Sequence, residues 1–142
     1  MSGNIQVLTY TDKDKWHFFL NEIQARDIYF TPEYSKCNEI ILNGEAQCFV
    51  YQDDSTTILY PYIIRKISNT DYHDITSCYG FGGFIGWPRG NKLMEFRSLF
   101  HNYCLNNNIV SEFIRFHPLY NNHFLDDNNG SLINYQPIVY CR

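Results

Sequence analysis

Alanine is almost missing from this chain: among 142 residues it stands only at Ala25 and Ala46, against an abundance of Asn, Ile, Tyr and Phe. That bias is a habit of composition and carries no functional information. Charge is scarce too, at 18% of residues, while apolar residues make up 44%, so the chain is not intrinsically disordered. It has no surplus of basic side chains, with 11 Lys and Arg against 15 Asp and Glu and a net charge of −4. A protein that coats nucleic acid needs such a surplus, so that class is excluded. No stretch approaches the roughly 18 apolar residues of a membrane helix. The N-terminus lacks a basic region followed by an apolar run, so no signal peptide is expected. The five cysteines (Cys37, Cys48, Cys78, Cys104 and Cys141) contain no CxxC pair, the nearest two being eleven residues apart. They read as reduced core residues of a cytoplasmic protein. No second His or Cys follows His73-Asp74 at ligand spacing, so no metal is expected. No Cys shares a motif with a His.

What the chain does have is 25 aromatic residues, enough with its aliphatics for one core and one domain spanning 1–142. Trp16, Phe19, Leu20 and Ile23 recur at helical spacing within 11–26, with Thr11 or Asp12 placed to cap. Thr31 and Pro32 read as the cap and first residue of a second helix, with Glu33 favourable in its first turn. Gln47–Tyr51 and Thr56–Ile67 read as strands of a hairpin turning at residues 52–55. The second is apolar on both faces and therefore central, with Pro61 marking a bulge or bend. Asp74–Tyr79 predicts a third strand. A helix follows over Asn91–Asn106, then strands at Ile109–Phe116 and Leu132–Tyr140, the latter after a loop at 126–130. Helices and antiparallel hairpins sharing one sheet give an α/β or α+β class with a mixed, largely antiparallel sheet flanked by helices.

Two constellations carry potential chemistry. The first is Tyr79-Gly80-Phe81-Gly82-Gly83-Phe84-Ile85-Gly86-Trp87, glycine-rich and placed between a strand and a helix. Glycines there let a backbone approach a ligand, and amides at a helix start attract anions. They serve equally as a tight bulged turn that accommodates Phe81, Phe84 and Trp87. The segment is neither GxGxxG nor a P-loop. The second is Glu112-Phe113-Ile114-Arg115-Phe116-His117-Pro118. Alternation puts Phe113, Arg115 and His117 on one face and Glu112, Ile114 and Phe116 on the other. Arg115 suits a carboxylate or phosphate, and Glu112 or His117 suits a general base. An ion pair and a histidine fixed by its neighbours account for the same residues.

Taken in order, Tyr29-Phe30-Thr31-Pro32-Glu33-Tyr34, Leu59-Tyr60-Pro61-Tyr62, Tyr79-Gly80-Phe81-Gly82-Gly83 and Glu112 to Leu119 resemble the N-terminal half of FemAB-like acyltransferases of the GNAT superfamily. The resemblance covers about residues 28–122. It implies a GNAT-like fold and a bacterial enzyme of cell-envelope biosynthesis. Such an enzyme moves an acyl or aminoacyl group from acetyl-CoA, another acyl-CoA or aminoacyl-tRNA to an amine. It implies small-molecule or nucleotide-sugar acceptors, such as peptidoglycan precursors or amino sugars. Because such proteins carry two GNAT-like domains, it also implies a second domain or a homodimer. On this resemblance the catalytic candidates are Glu112 and His117, and Tyr79, Gly80, Gly82, Gly83, Trp87 and Arg115 line the substrate cleft. The Arg/Gln-x-x-Gly-x-Gly/Ala loop of simple acetyltransferases has no counterpart in the turn. The alternative reading is a non-catalytic GNAT-like binding or dimerisation module.

Overall fold

The computed structural model describes residues 3–88, 90–120 and 122. In chain order the elements are β1 (Asn4–Leu8), α1 (Lys13–Glu22), α2 (Pro32–Leu42), β2 (Glu45–Gln52), β3 (Thr57–Lys66), β4 (His73–Thr76), β5 (Ile85–Gly86), α3 (Lys92–Asn106) and β6 (Ile109–Phe113). The sheet runs β1-β2-β3-β4-β6, and β5 also pairs with β3. Every pairing is antiparallel except β4 with β6, which is parallel. This is the mixed, largely antiparallel sheet with helices that the sequence predicts.

Alternation along β3 explains the two layers. Ile58, Tyr60 and Tyr62 point to one face, where they meet Phe49, Phe84, and Phe96 and Phe100 of α3. Leu59 and Ile63 point to the other face, beneath Trp16, Phe19 and Leu20 of α1 and the α2 residues Tyr34 and Leu42. Both faces of β3 are covered, as its continuous apolar run implies. The core is mostly aromatic: the Phe100 ring lies 5.1 Å from both Phe49 and Tyr60 in tilted or edge-on contact, geometries that suit ring quadrupoles.

Local signals set most boundaries. The Thr31 hydroxyl accepts the Tyr34 N–H at 3.3 Å and Pro32 opens α2, as expected. Helix α1 stops at Glu22, four residues short of the expected end. Gln24 turns left-handed (φ 56°), and the Ala25 N–H reaches back to the Leu20 carbonyl at 2.9 Å. The strand expected to run to Tyr79 leaves the ladder after Thr76, and the one expected to run to Phe116 ends at Phe113, keeping one bridge from Phe116 to Gly82. Strand β1 has no expectation behind it, because five residues with weak alternation give too little pattern. The strand expected at Leu132–Tyr140 and the loop at 126–130 lie outside the described residues.

Pro61 is where the structure corrects the sequence reading most usefully. Strand β3 neither bulges nor bends there: its register with β2 is unbroken from Thr57 to Ile64. The Asp53 N–H donates to the Thr56 carbonyl at 2.9 Å, which fixes the alternation of bonded pairs along the hairpin. Counting from it, Cys48 and Pro61 form a non-bonded pair, so the proline nitrogen faces away from β2. On that other side β4 pairs with Ile63 and β5 with Leu59, so among the described residues no strand lies opposite Pro61. The irregularity sits in the neighbour, and a central strand holds a proline because nothing requires its N–H.

Among the described residues the four cysteines are free: Cys48 and Cys78 are buried, Cys104 is half-buried and Cys37 is exposed. Burial pushes the Cys78 thiol up to about 11 and the Cys104 thiol up to about 12. Native-state iodoacetamide labelling at pH 8, read by peptide mass, is expected to modify Cys37 at least about tenfold faster than Cys48 or Cys78, with urea abolishing the difference.

Candidate functional site

The chain from Ser77 to Phe84 fills the gap opposite Pro61. Between Leu59 and Ile63 strand β3 has only Tyr60, Pro61 and Tyr62, whereas the neighbouring chain has eight residues, 77–84, between its matching partners. The surplus loops onto α2. There the Tyr79 N–H donates to Asn38 Oδ1 at 2.8 Å, and the Tyr34 hydroxyl donates to the Tyr79 carbonyl at 2.7 Å. The Gly82 N–H donates to the Arg115 carbonyl at 2.7 Å, and the Gly82 carbonyl accepts from Asn122 Nδ2 at 2.8 Å.

Gly80 and Gly83 both need φ near +90°, at +94° and +91°. A Cβ on Gly80 would lie 2.5 Å from the Tyr29 ring, and one on Gly83 would lie 2.8 Å from Asn122 Nδ2. Gly82 packs against Ser77 in the same way. The protein itself occupies the space beside each glycine. A carrier pyrophosphate would need those volumes, so it does not fit on this turn.

The second constellation keeps its alternation and thereby divides. Ile114 and Phe116 pack against the α3-side core, and on that side Glu112 accepts the buried Tyr60 hydroxyl at 2.5 Å, with Arg97 Nη1 3.9 Å away. Burial first, and the Glu112 charge second, push the Tyr60 hydroxyl well up. Arg115 is exposed and lays its guanidinium over the Phe113 ring at 5.6 Å.

His117 is 3% exposed and enclosed by Tyr29, Phe30, Phe81 and Tyr120 on the α1 side. Its Nδ1 accepts the Leu119 N–H at 3.2 Å, so Nε2 carries the hydrogen and donates to the Asp27 carboxylate at 2.9 Å. Both ring nitrogens are thus engaged. The two candidate bases stand on opposite faces of the sheet.

A cleft of about 760 Å³ opens where β5 ends against the β2–β3 hairpin. Its walls are residues 22–25 at the end of α1, the hairpin at 52–57, and Ile85 to Trp87, with Tyr120 and Asn122 completing it. Of the residues singled out from sequence, only Trp87 lines it, a residue 64% exposed. Asn122 joins cleft to turn: buried, it donates to the Gly82 carbonyl and accepts the His117 N–H at 2.8 Å.

Two acidic residues here escape sequence reasoning. The Glu22 carboxylate accepts from the Gln52 amide at 3.1 Å, and Asp54 stands exposed in the hairpin. They are far apart in sequence, and each reads alone as an ordinary helix end or turn residue. Asp53 is different: Lys92, then the Ser55 N–H, hold its carboxyl well below the usual range, and it fastens the turn.

The His117–Asp27 bond ties the chain after β6 to the α1–α2 connection. A double-mutant cycle of Asp27→Asn and His117→Gln, followed by urea unfolding, is expected to give a coupling of about 1–3 kcal/mol. Additive effects would show that the bond contributes nothing.

No family model matches the chain, and no curated protein matches it either. A solved structure described as "a possible acetyltransferase from Clostridium difficile 630" superposes with a TM-score of 0.53 at 12% identity, covering 100% of this chain and 99% of that one. The likeness shows the fold alone: the chain shares the mixed α/β architecture of that structure, a largely antiparallel sheet flanked by helices.

Proposed function

We propose that the chain is an acyltransferase. In this reading it moves an acyl or aminoacyl group from a carrier to the primary amine of a small molecule, a FemAB-like reaction on a cell-wall or surface-polysaccharide precursor. The observation that carries the reading is the end-to-end likeness to a structure described as a possible acetyltransferase, together with a cleft walled by the end of β5, the β2–β3 hairpin and the end of α1. Fold alone does not fix chemistry, and it is the cleft at this position that adds weight.

The reaction asks little of the protein beyond placement and proton removal. The amine nitrogen attacks the carbonyl carbon, a C–N bond forms, and the bond to the carrier's sulfur or oxygen breaks. The nitrogen gives up a proton to a base, and the leaving group takes one. Neither Glu112 nor His117 lines the cleft; of the two, His117 stands behind its wall, against Tyr120 and Asn122, while Glu112 lies on the other face of the sheet. Trp87 is the cleft-wall residue that the sequence and the geometry share. The donor in this reading is acyl-CoA or aminoacyl-tRNA, and the pyrophosphate of a CoA donor would lie elsewhere than on the glycine turn.

A binding or dimerisation module without catalysis is the second reading. The full engagement of both His117 nitrogens and the filled glycine faces favour it. Turnover separates the two. The purified chain is to be incubated with acetyl-CoA, succinyl-CoA or charged tRNA and a panel of amino sugars and nucleotide-linked amino sugars. Mass detection of an N-acylated product with at least one pair is expected, and Trp87→Ala is expected to lower kcat/KM by about tenfold or more. No acylated product from any pair would overturn the acyltransferase reading in favour of the module.

A further inference from the structure

We infer that the cleft beside Trp87 is a binding site for an organic cation, a primary ammonium carried on an apolar or ring-shaped body. This rests on the acyltransferase reading only for the step that treats the cation as acceptor. The binding itself stands on the shape and polarity of the cleft.

The volume, about 760 Å³, is that of a site for a molecule of drug or sugar size. Its wall carries Trp87, a residue 64% exposed, in a protein whose other tryptophan, Trp16, is fully buried with its N–H on the Phe30 carbonyl at 3.0 Å. An indole face left in water at the wall of a concavity suits a sugar ring or a cation.

The polarity narrows the choice. Glu22 is the last residue of the ten-residue α1 and residues 23–25 follow it directly, and the last turn of the helix carries no basic residue. The negative end of that helix therefore stands at the cleft wall. Among the described residues none of the lining side chains is basic, while three are acidic. Lys92 pairs with Asp53, so Glu22 and Asp54 carry the unbalanced charge. Helix pole, carboxylates and π-face all favour positive charge, and the hydroxyls of Ser55, Thr56 and Thr57 supply acceptors for the hydrogens of an ammonium.

Trp87 is also the reporter. Trp16 is sealed in the core, so a ligand-induced change in tryptophan emission comes from Trp87. At pH 7 the chain is to be titrated with glucosamine and, separately, with spermidine, an amino sugar and a linear amine. N-acetylglucosamine and 1,8-octanediol serve as their uncharged counterparts. The expected result is a saturable change with at least one amine and none with its neutral counterpart. Saturation by glucosamine alone assigns an amino sugar, and by spermidine alone a linear polyamine. In E22Q/D54N the apparent Kd is expected to rise at least about tenfold. Asp54 is exposed in the hairpin, so D54N alone keeps the fold and is expected to weaken binding in the same direction. Equal responses to charged and neutral compounds, an unchanged Kd in both variants, or no response up to about 10 mM amine would overturn the inference. Binding without acyl transfer would remove the acyltransferase reading and leave this one standing. Acyl transfer insensitive to Glu22 and Asp54 would do the reverse.

Discussion

The arrangement of this end of the molecule depends on one missing hydrogen-bond donor. Pro61 sits in the middle of the central strand with its nitrogen turned away from β2, toward the side where β4 and β5 should meet. A neighbouring strand running past that point would present a carbonyl with no partner, at a cost of about 1–3 kcal/mol if buried. The chain avoids this by leaving the ladder after Thr76 and rejoining at Ile85. Everything distinctive about the site follows from where those eight residues go.

They go toward α2, and the contacts there are specific. Asn38 and Tyr34 hold the two backbone groups of Tyr79, and Tyr29 closes over Gly80. Arg115 and Asn122 hold Gly82, while Asn122 also receives the His117 amide. The excursion is therefore a packed layer at the edge of β3, held by α2 on one side and by the chain after β6 on the other. His117, anchored to Asp27, belongs to the same layer. Beyond it, where β5 rejoins β3, the surface falls away into the cleft walled by the α1 terminus and the β2–β3 hairpin. Packing and concavity are two results of the same departure from the ladder.

Much of this was legible in the sequence. The apolar stripe of α1, the Thr31-Pro32 start of α2 and the two-faced apolar run of β3 are local signals that tertiary packing reinforces. The glycines marked a turn, but the bulge or bend expected at Pro61 is absent from its own strand, and the break falls in the neighbouring chain instead. That depends on which side the proline nitrogen faces, and the hairpin register decides it. The site was less legible. The alternation from Glu112 to His117 held, yet it placed the two candidate bases on opposite faces. Glu22 and Asp54 reach the cleft only because a helix end and a hairpin tip arrive at the same edge of the sheet. No spacing in the sequence encodes that meeting.

Hydrogen exchange at single amides within 77–84, followed by NMR, tests this account most directly. If the segment is a packed layer, the amides of Tyr79 and Gly82, bonded to Asn38 and Arg115, should exchange with protection close to that of the β3 amides. Exchange at the rate of an open loop, while β3 stays protected, would contradict it.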